Sequence, residues 1–351
     1  MARNHALVAG ATGAAATRLV ERLAREPDWD VVGLCRTPPA DSEGVRYLAL
    51  DLTDAGACAE TLGALAGTTH LFYASRAEHG EGAPEDVARN LTMLRNTVES
   101  VEAVAKGLKH VHVVTGTNYY GLTLGPYRTP AREDDARHMP PDFYYELEDY
   151  VAARQRGKSW TWSVSRPDVI CDFRPGRARN AISSISVYAA ICKELSLPLS
   201  FPGHPGAYEI LTEATEATHL ADAIVWMATT ESCANQAFNV FNGDPFRWRN
   251  LWPRIAAFFE IEIGPVRRIP MAEFMADKAP VWERIVAKHG LEPTPFAQIA
   301  LWPYADWLFD REYDQMSDMT KARLLGYAGF VDTEEMFIRL MARYRGARLI
   351  P

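Results

Sequence analysis

The sequence predicts an α/β protein, a doubly wound parallel sheet joined to a smaller, mainly helical portion that would cover a substrate. Three observations carry that prediction. Strand-like and helix-like segments alternate through the first half of the chain at the rhythm of a parallel sheet with crossover helices. A glycine-rich turn, LVAGATGAAATRL, follows the first strand directly and opens a helix. Later the alternation gives way to aromatic-rich helical segments punctuated by Pro and Gly.

The elements follow in order. HALVAG, WDVVGLC, VRYLALDL, HLFYAS and HVHVVTG read as five strands. Between them, ATRLVERLARE and NLTMLRNTVESVEAVAKG repeat apolar residues every three or four positions, the period of a helix with one buried face. A Pro-rich loop spans Pro126 to Pro141, a helix begins near Phe143, and TWSVSRPDVI reads as a sixth strand. ISVYAAICKEL, LADAIVWMATT, IAAFFEI and EEMFIRLMARY then read as helices, with AFNVFNGD as a late return to the sheet. The expected division is a nucleotide-binding core over 1–172 plus about 212–250, and a discontinuous substrate-binding lid over about 173–211 plus 251–351. The Met and aromatic residues of FMADKAPVWERIV and LWPYADWLF are expected in the core or the lid, and so aromatic a lid suggests an apolar pocket.

The chain has 351 residues, 48% of them hydrophobic, enough for a large core, which excludes a disordered protein. A net charge of -8 with 37 scattered basic residues argues against a nucleic-acid partner. Cys35, Cys58, Cys171, Cys192 and Cys233 form no CxxC pair and no zinc-like spacing, so they read as reduced, buried thiols, and no metal site is expected. No stretch approaches the ~18 unbroken apolar residues of a membrane span. The expectation is a soluble, cytoplasmic protein with a small-molecule partner. A homodimer is compatible with the sequence, which leaves oligomeric state open.

Gly10, Thr12, Gly13 and Ala16 stand at the mouth of the first helix in the Rossmann manner. Glycine permits a tight turn and close backbone approach to a pyrophosphate, and the helix start offers free amides. The second strand ends Cys35, Arg36, Thr37, without the carboxylate that an NAD ribose needs. Arg36 suits the 2′-phosphate of NADPH/NADP+; the other reading is a solvated surface arginine. Asp51, ending the third strand, suits an acceptor for the adenine amino group and equally suits the N-cap of the following helix.

The segments HVHVVTGTNYYGLTLGP, DFYYELEDYVAARQRGKSWTWSVSRPDVI, SVYAAICKE, AFNVFNGDPFRWRNLWP and the closing LIP resemble the progesterone 5β-reductase and iridoid synthase-like group, atypical extended short-chain dehydrogenases/reductases. The resemblance runs from the glycine loop to the last residue. It implies a Rossmann core with a helical lid, NADPH as cofactor, and reduction of a carbon–carbon double bond conjugated to a carbonyl. It assigns the catalytic tyrosine of the FYYxxED motif to Tyr144. The lysine that the family carries in TGxKxY falls on Asn118 here. The ordinary Tyr-to-Lys spacing of four is also absent: Glu148 follows Tyr144 and Asp149 follows Tyr145 at that distance.

A phenol near its usual pKa of about 10 stays protonated at neutral pH unless a cation depresses it. Tyr144 is therefore a poor base for oxidising an alcohol, yet it can donate a hydrogen bond to a carbonyl oxygen that gains charge as hydride arrives. Asn118 can donate its amide in place of the lysine but brings no charge. Three readings of Asn118 stand: a working substitute, a changed chemistry, or a protein that binds NADPH without reducing the usual substrates. The leading expectation is reduction of a small, hydrophobic enone or enal. Carbonyl or imine reduction and a non-catalytic NADPH sensor are the alternatives.

By the same resemblance, Ala74, Ser75, Thr115, Pro167, Val169 and Ile170 border the cofactor. Arg76, Tyr119 and Tyr145 are candidate substrate-pocket residues, with Arg76 at the pocket mouth, near the pyrophosphate or facing water. Tyr120 is expected to pack under the lid and Arg166 to shape its loop. His110 and His112 share one strand face without a visible third ligand.

Overall fold

The computed structural model describes residues 3–77 and 85–351. Its strands are β1 (Asn4–Ala9), β2 (Trp29–Cys35), β3 (Val45–Ala49), β4 (His70–Tyr73), β5 (His110–Val114), β6 (Thr161–Pro167), β7 (Ile170–Cys171), β8 (Thr215–Glu216) and β9 (Gln236–Val240). Among the described residues, one parallel sheet runs β3-β2-β1-β4-β5-β6-β9, and β7 pairs with β8 beside it. The strand order reverses between β1 and β4. Loops leaving those two strands diverge there and open a crevice at the carboxyl edge of the sheet.

The crossover helices are α1 (Thr17–Ala24), α2 (Ala55–Gly63), α3 (Val87–Val104) and α4 (Phe143–Gln155), followed by α5 (Ala181–Glu194), α6 (Pro205–Glu209) and α7 (Ala217–Thr229). Strand side chains alternate between faces, and both faces are covered, which explains the nearly continuous apolar runs. Ala6 and Val8 of β1 pack with Leu19 of α1 and Leu220 of α7; Leu7 and Ala9 pack with Leu62, Leu94 and Leu147 of α2, α3 and α4.

The remaining helices are α8 (Trp248–Phe259), α9 (Met271–Phe274), α10 (Ala279–His289), α11 (Phe296–Ile299), α12 (Trp302–Phe309), α13 (Thr320–Leu324) and α14 (Thr333–Gly346). With α5, most of them enclose a second core rich in Trp and Phe. Phe201 and Trp252 meet at 5.2 Å between ring centroids, and Trp248 and Phe309 at 5.1 Å. The aromatic content that suggested an apolar pocket is therefore largely internal to this helical portion. No helix among the described residues is long and apolar enough to cross a membrane.

Two expected strands end early for identifiable reasons. TWSVSRPDVI divides because the Asp168 amide turns to the Thr215 hydroxyl at 3.2 Å, which redirects Ile170 into β7. AFNVFNGD stops at Val240 because the Asn242 side chain accepts the Glu216 amide at 2.7 Å and donates to the Thr333 hydroxyl at 3.0 Å. On β5, His110 and His112 hydrogen-bond Thr161, Ser163 and Ser165 of β6 at 2.7–3.0 Å. Burial holds the His112 imidazole down to about 3, so it serves the sheet as a neutral ring.

Candidate active site

The loop after β1 is shaped for an anion. Gly10 has φ +79°, and a Cβ there would lie 2.8 Å from the Ala74 carbonyl oxygen. A Cβ at Gly13 would lie 2.9 Å from the Gly10 carbonyl oxygen. The amides of Thr12, Ala14 and Ala15 have no acceptor among the described residues, at the start of α1. A side-chain-free cradle of this kind fits the pyrophosphate of a dinucleotide. Ala16, fully buried, seats α1 against the sheet. The Ala74 amide bonds the Ala9 carbonyl at 3.0 Å and so fixes the Ala74–Ser75 wall beside the loop.

Arg36 is exposed just past β2, and its charge reaches Asp51. One Asp51 oxygen accepts the Thr53 amide at 2.9 Å and hydroxyl at 2.8 Å, which holds the carboxyl below its ordinary value. The cap of α2 is Asp54, which accepts the Ala57 amide at 2.9 Å, so the capping reading of Asp51 is corrected. The true cap lies one turn further because Asp51 is committed to the tight turn at Thr53.

The next part of the site lies where β5 and β6 end. The Thr115 amide and hydroxyl both donate to the Ser165 carbonyl, at 2.9 and 3.1 Å. Gly116 follows in extended backbone, and a Cβ there would lie 2.9 Å from the Tyr144 oxygen and 3.3 Å from the Pro167 carbonyl oxygen. Tyr144, on the first turn of α4, is set by Asp142, whose carboxylate accepts its amide at 2.8 Å. The phenol hydroxyl has no hydrogen-bond partner among the described residues. Burial pushes its pKa up; Arg76 pulls it down, and Asp142 and Asp168 push it further up. Tyr144 is therefore a neutral donor at working pH. Asn118 lies in a short 3-10 turn (Thr117–Tyr120) whose carbonyl at Asn118 accepts the Gly121 amide at 2.9 Å. Its half-buried carboxamide has no partner among the described residues.

Tyr119 and Tyr145, the candidate substrate-pocket residues, have both hydroxyls bonded within the protein. The Tyr145 hydroxyl donates to the Tyr119 carbonyl at 2.6 Å and accepts the His138 amide at 3.1 Å. The Tyr119 hydroxyl accepts from Arg137 at 3.2 Å, and the two rings pack edge to face at 4.8 Å. Consecutive residues on a helix point about 100° apart, so Tyr145 turns to packing where Tyr144 turns to the crevice. Tyr120 is buried, donating to Asn239 at 2.5 Å. Arg166, only 1% exposed, binds both Glu148 oxygens at 3.1 and 2.8 Å and the Tyr120 hydroxyl at 3.0 Å. Asp149 binds Arg137 through two bonds of 2.7 Å. The acidic pair of FYYELED thus fastens α4 in place.

Tertiary structure adds residues that local sequence did not single out. Asp168, next to Pro167, is buried with one carboxyl oxygen unpartnered among the described residues. Burial pushes its pKa up against the pull of Arg311, the Val169 amide and the Thr117 hydroxyl. Glu213 accepts the Ser317 amide and hydroxyl at 2.7 and 2.6 Å; burial and then Asp168 push its carboxyl up to about 8. Arg311 stacks over Trp307 at 4.2 Å, and Arg179 over Tyr304 at 4.6 Å. The SRPD quartet held the one local signal, its terminal acid. The Val169 carbonyl accepts the Thr215 amide at 3.2 Å, and Ile170 is bound into β7, so both are anchored at the crevice edge.

Residues 59–351 match the model of the PRISE-like Rossmann-fold domain. The chain belongs to that family. This PRISE-like protein is 36% identical over 366 residues to an (S)-8-oxocitronellyl enol synthase of Antirrhinum majus, a match covering 99% of this chain and 92% of the relative. It is 34% identical to an (S)-8-oxocitronellyl enol synthase of Catharanthus roseus, with 99% and 92% covered, and 31% identical to a short chain dehydrogenase of Penicillium aethiopicum, with 99% of each covered. Its fold matches a putative epimerase from Burkholderia cenocepacia (TM-score 0.70, 15% identity, 99% of each chain). It also matches the Bordetella bronchiseptica enzyme WbmG in complex with NAD (TM-score 0.68, 14% identity, 99% of this chain and 96% of the other). The PRISE-like protein is an oxidoreductase of the NAD(P)-dependent short-chain dehydrogenase type.

Proposed function

We propose that the protein is an NADPH-dependent reductase of the activated carbon–carbon double bond in a small, hydrophobic enone or enal. The observation that carries this reading is the Tyr144 phenol, neutral, without a partner among the described residues and held over Gly116 at the carboxyl edge of the sheet. The relatives named as enol synthases point to the same chemistry, since an enol is what hydride addition to a conjugated enal leaves. NADPH is favoured over NADH by Arg36 and by the absence of an acid at the end of β2.

The bound cofactor would supply the hydride. Tyr144 donates a hydrogen bond to the carbonyl oxygen, which gains charge as the β-carbon is reduced, and Asn118 offers its amide as a second donor. Solvent or a neighbouring group then protonates the enolate. A neutral phenol serves this direction better than alcohol oxidation, which needs a base. Loss of one such donor costs roughly 10²–10³ in kcat.

The test is NADPH consumption with a panel of conjugated enals, enones, saturated ketones and imines, with product analysis. Saturated aldehyde or ketone from the conjugated substrates is expected, and Tyr144→Phe should lower kcat by about 10²-fold. Turnover of the saturated ketones or imines alone would replace this reading with carbonyl or imine reduction.

A further inference from the structure

The proposed reduction creates negative charge beside Tyr144, while position 118 holds a neutral amide. The question is what supplies positive charge to the phenol. Tyr73 of β4 lies opposite Val113 of β5, so the loops that carry Arg76 and Gly116 leave neighbouring strands at the same edge of the sheet. Gly116 is the residue over which the Tyr144 oxygen sits. The Arg76 guanidinium lies 5.6 Å from the centre of the Phe143 ring, and that ring lies 4.1 Å from the ring of Tyr144. Glu85 pairs with Arg76 and holds it at this end of the sheet.

We propose that Arg76 is the positioning cation of this site: from the end of β4 it keeps the Tyr144 phenol a strong hydrogen-bond donor and offsets charge on the substrate oxygen. This rests on the reductase reading for its catalytic consequence. The charges around Tyr144 support it: Asp142 and Asp168 push its pKa up, and Arg76 is the largest influence pulling it down, ahead of Arg179. Arg76 is itself partly desolvated, and an arginine keeps its charge through that. The sequence change that removes the lysine is thereby matched by a second cation reaching the same phenol from a neighbouring strand.

The experiment compares Arg76→Met and Arg76→Lys in the full chain, with NADPH binding and thermal unfolding as checks on folding. With a conjugated enal, Arg76→Met is expected to lower kcat by at least tenfold, change KM little and move the basic limb of the pH–rate profile upward. Arg76→Lys should retain most of the rate, and Asn118→Lys should restore at least part of it in the Arg76→Met background. The phenolate ultraviolet difference between the protein and its Tyr144→Phe variant reads the Tyr144 ionisation without any substrate. It should shift to higher pH in Arg76→Met. An unmoved Tyr144 titration in folded Arg76→Met overturns the proposal. A wild-type protein that reduces no conjugated substrate, with the Tyr144 titration still shifted in Arg76→Met, sinks the reductase reading and leaves the role of Arg76 standing.

Discussion

A methyl group added at Gly116 would sit 2.9 Å from the Tyr144 oxygen, yet the glycine has φ 179°, ordinary extended backbone. Alanine is refused there by space and not by conformation. Gly116→Ala should therefore keep its melting temperature within a few degrees while kcat falls by about 10²-fold, because reacting groups displaced by ~1 Å lose that much rate. Steady-state kinetics beside thermal unfolding separates the two effects. The proposed preference for NADPH likewise rests on a single residue, Arg36. Arg36→Ala should weaken NADPH binding far more than NADH binding in a fluorescence titration, and equal losses would remove the 2′-phosphate argument. Tyr144 was singled out by its motif. The role of Gly116 was not, since nothing local in TGTNYYG says that a phenol from α4 will arrive there.

Helix α4 delivers Tyr144, and two ion pairs of unequal weight hold it. The Arg166–Glu148 pair is buried, with exposures of 1% and 13%. The Arg137–Asp149 pair is exposed at 33% and 57%. Removing one partner of a buried pair leaves an uncompensated charge and costs ~3–5 kcal/mol, whereas an exposed pair contributes ~0–1 kcal/mol. Glu148→Ala should thus lower the melting temperature markedly and Asp149→Ala hardly at all, measured by calorimetry on both variants. Equal shifts would mean that Arg166 relies on Tyr120 and the Glu133 carbonyl, which it also binds. The sequence marked both acids by their motif, but their different burial comes from the ~100° turn between consecutive helix residues, which aims Glu148 at Arg166 of β6 and Asp149 at the more exposed Arg137.

At the scale of the molecule, Glu213 joins distant parts of the chain: it precedes β8, binds Ser317 before α13 and senses Asp168 after β6. Its folded-state pKa of about 8 lies above the ordinary 4.5, so the folded protein holds a proton that the unfolded chain releases between those values. Stability is then greatest below that window and falls as pH rises through it. Glu213→Gln should flatten the loss of melting temperature between about pH 5 and 8, the interval set by that shift. A wild-type melting temperature that rises across the interval would contradict the assignment of a held proton. A second tie between the sheet and the helical portion is Arg339 of α14 to Glu216 of β8 at 2.8 Å.

The sequence by itself determined the parallel sheet and the glycine turn before α1, because each depends on local chemistry: period-two and helical apolar patterns, and glycines before a helix. The family resemblance pointed to Tyr144, and to Asn118 as the position where that family carries a lysine. Only the tertiary structure decided that Tyr145 and Tyr119 bond to each other, that the Trp and Phe of the helical portion fill its own core, and that Asp168, Glu213 and Arg311 influence one another beneath it. It alone brought Arg76 against Phe143, beside Tyr144. Those outcomes depend on which strands lie side by side and which helix faces turn inward. Strand neighbours and buried faces are fixed by the whole packed sheet, so charges far apart in the chain acquire their partners only when it closes.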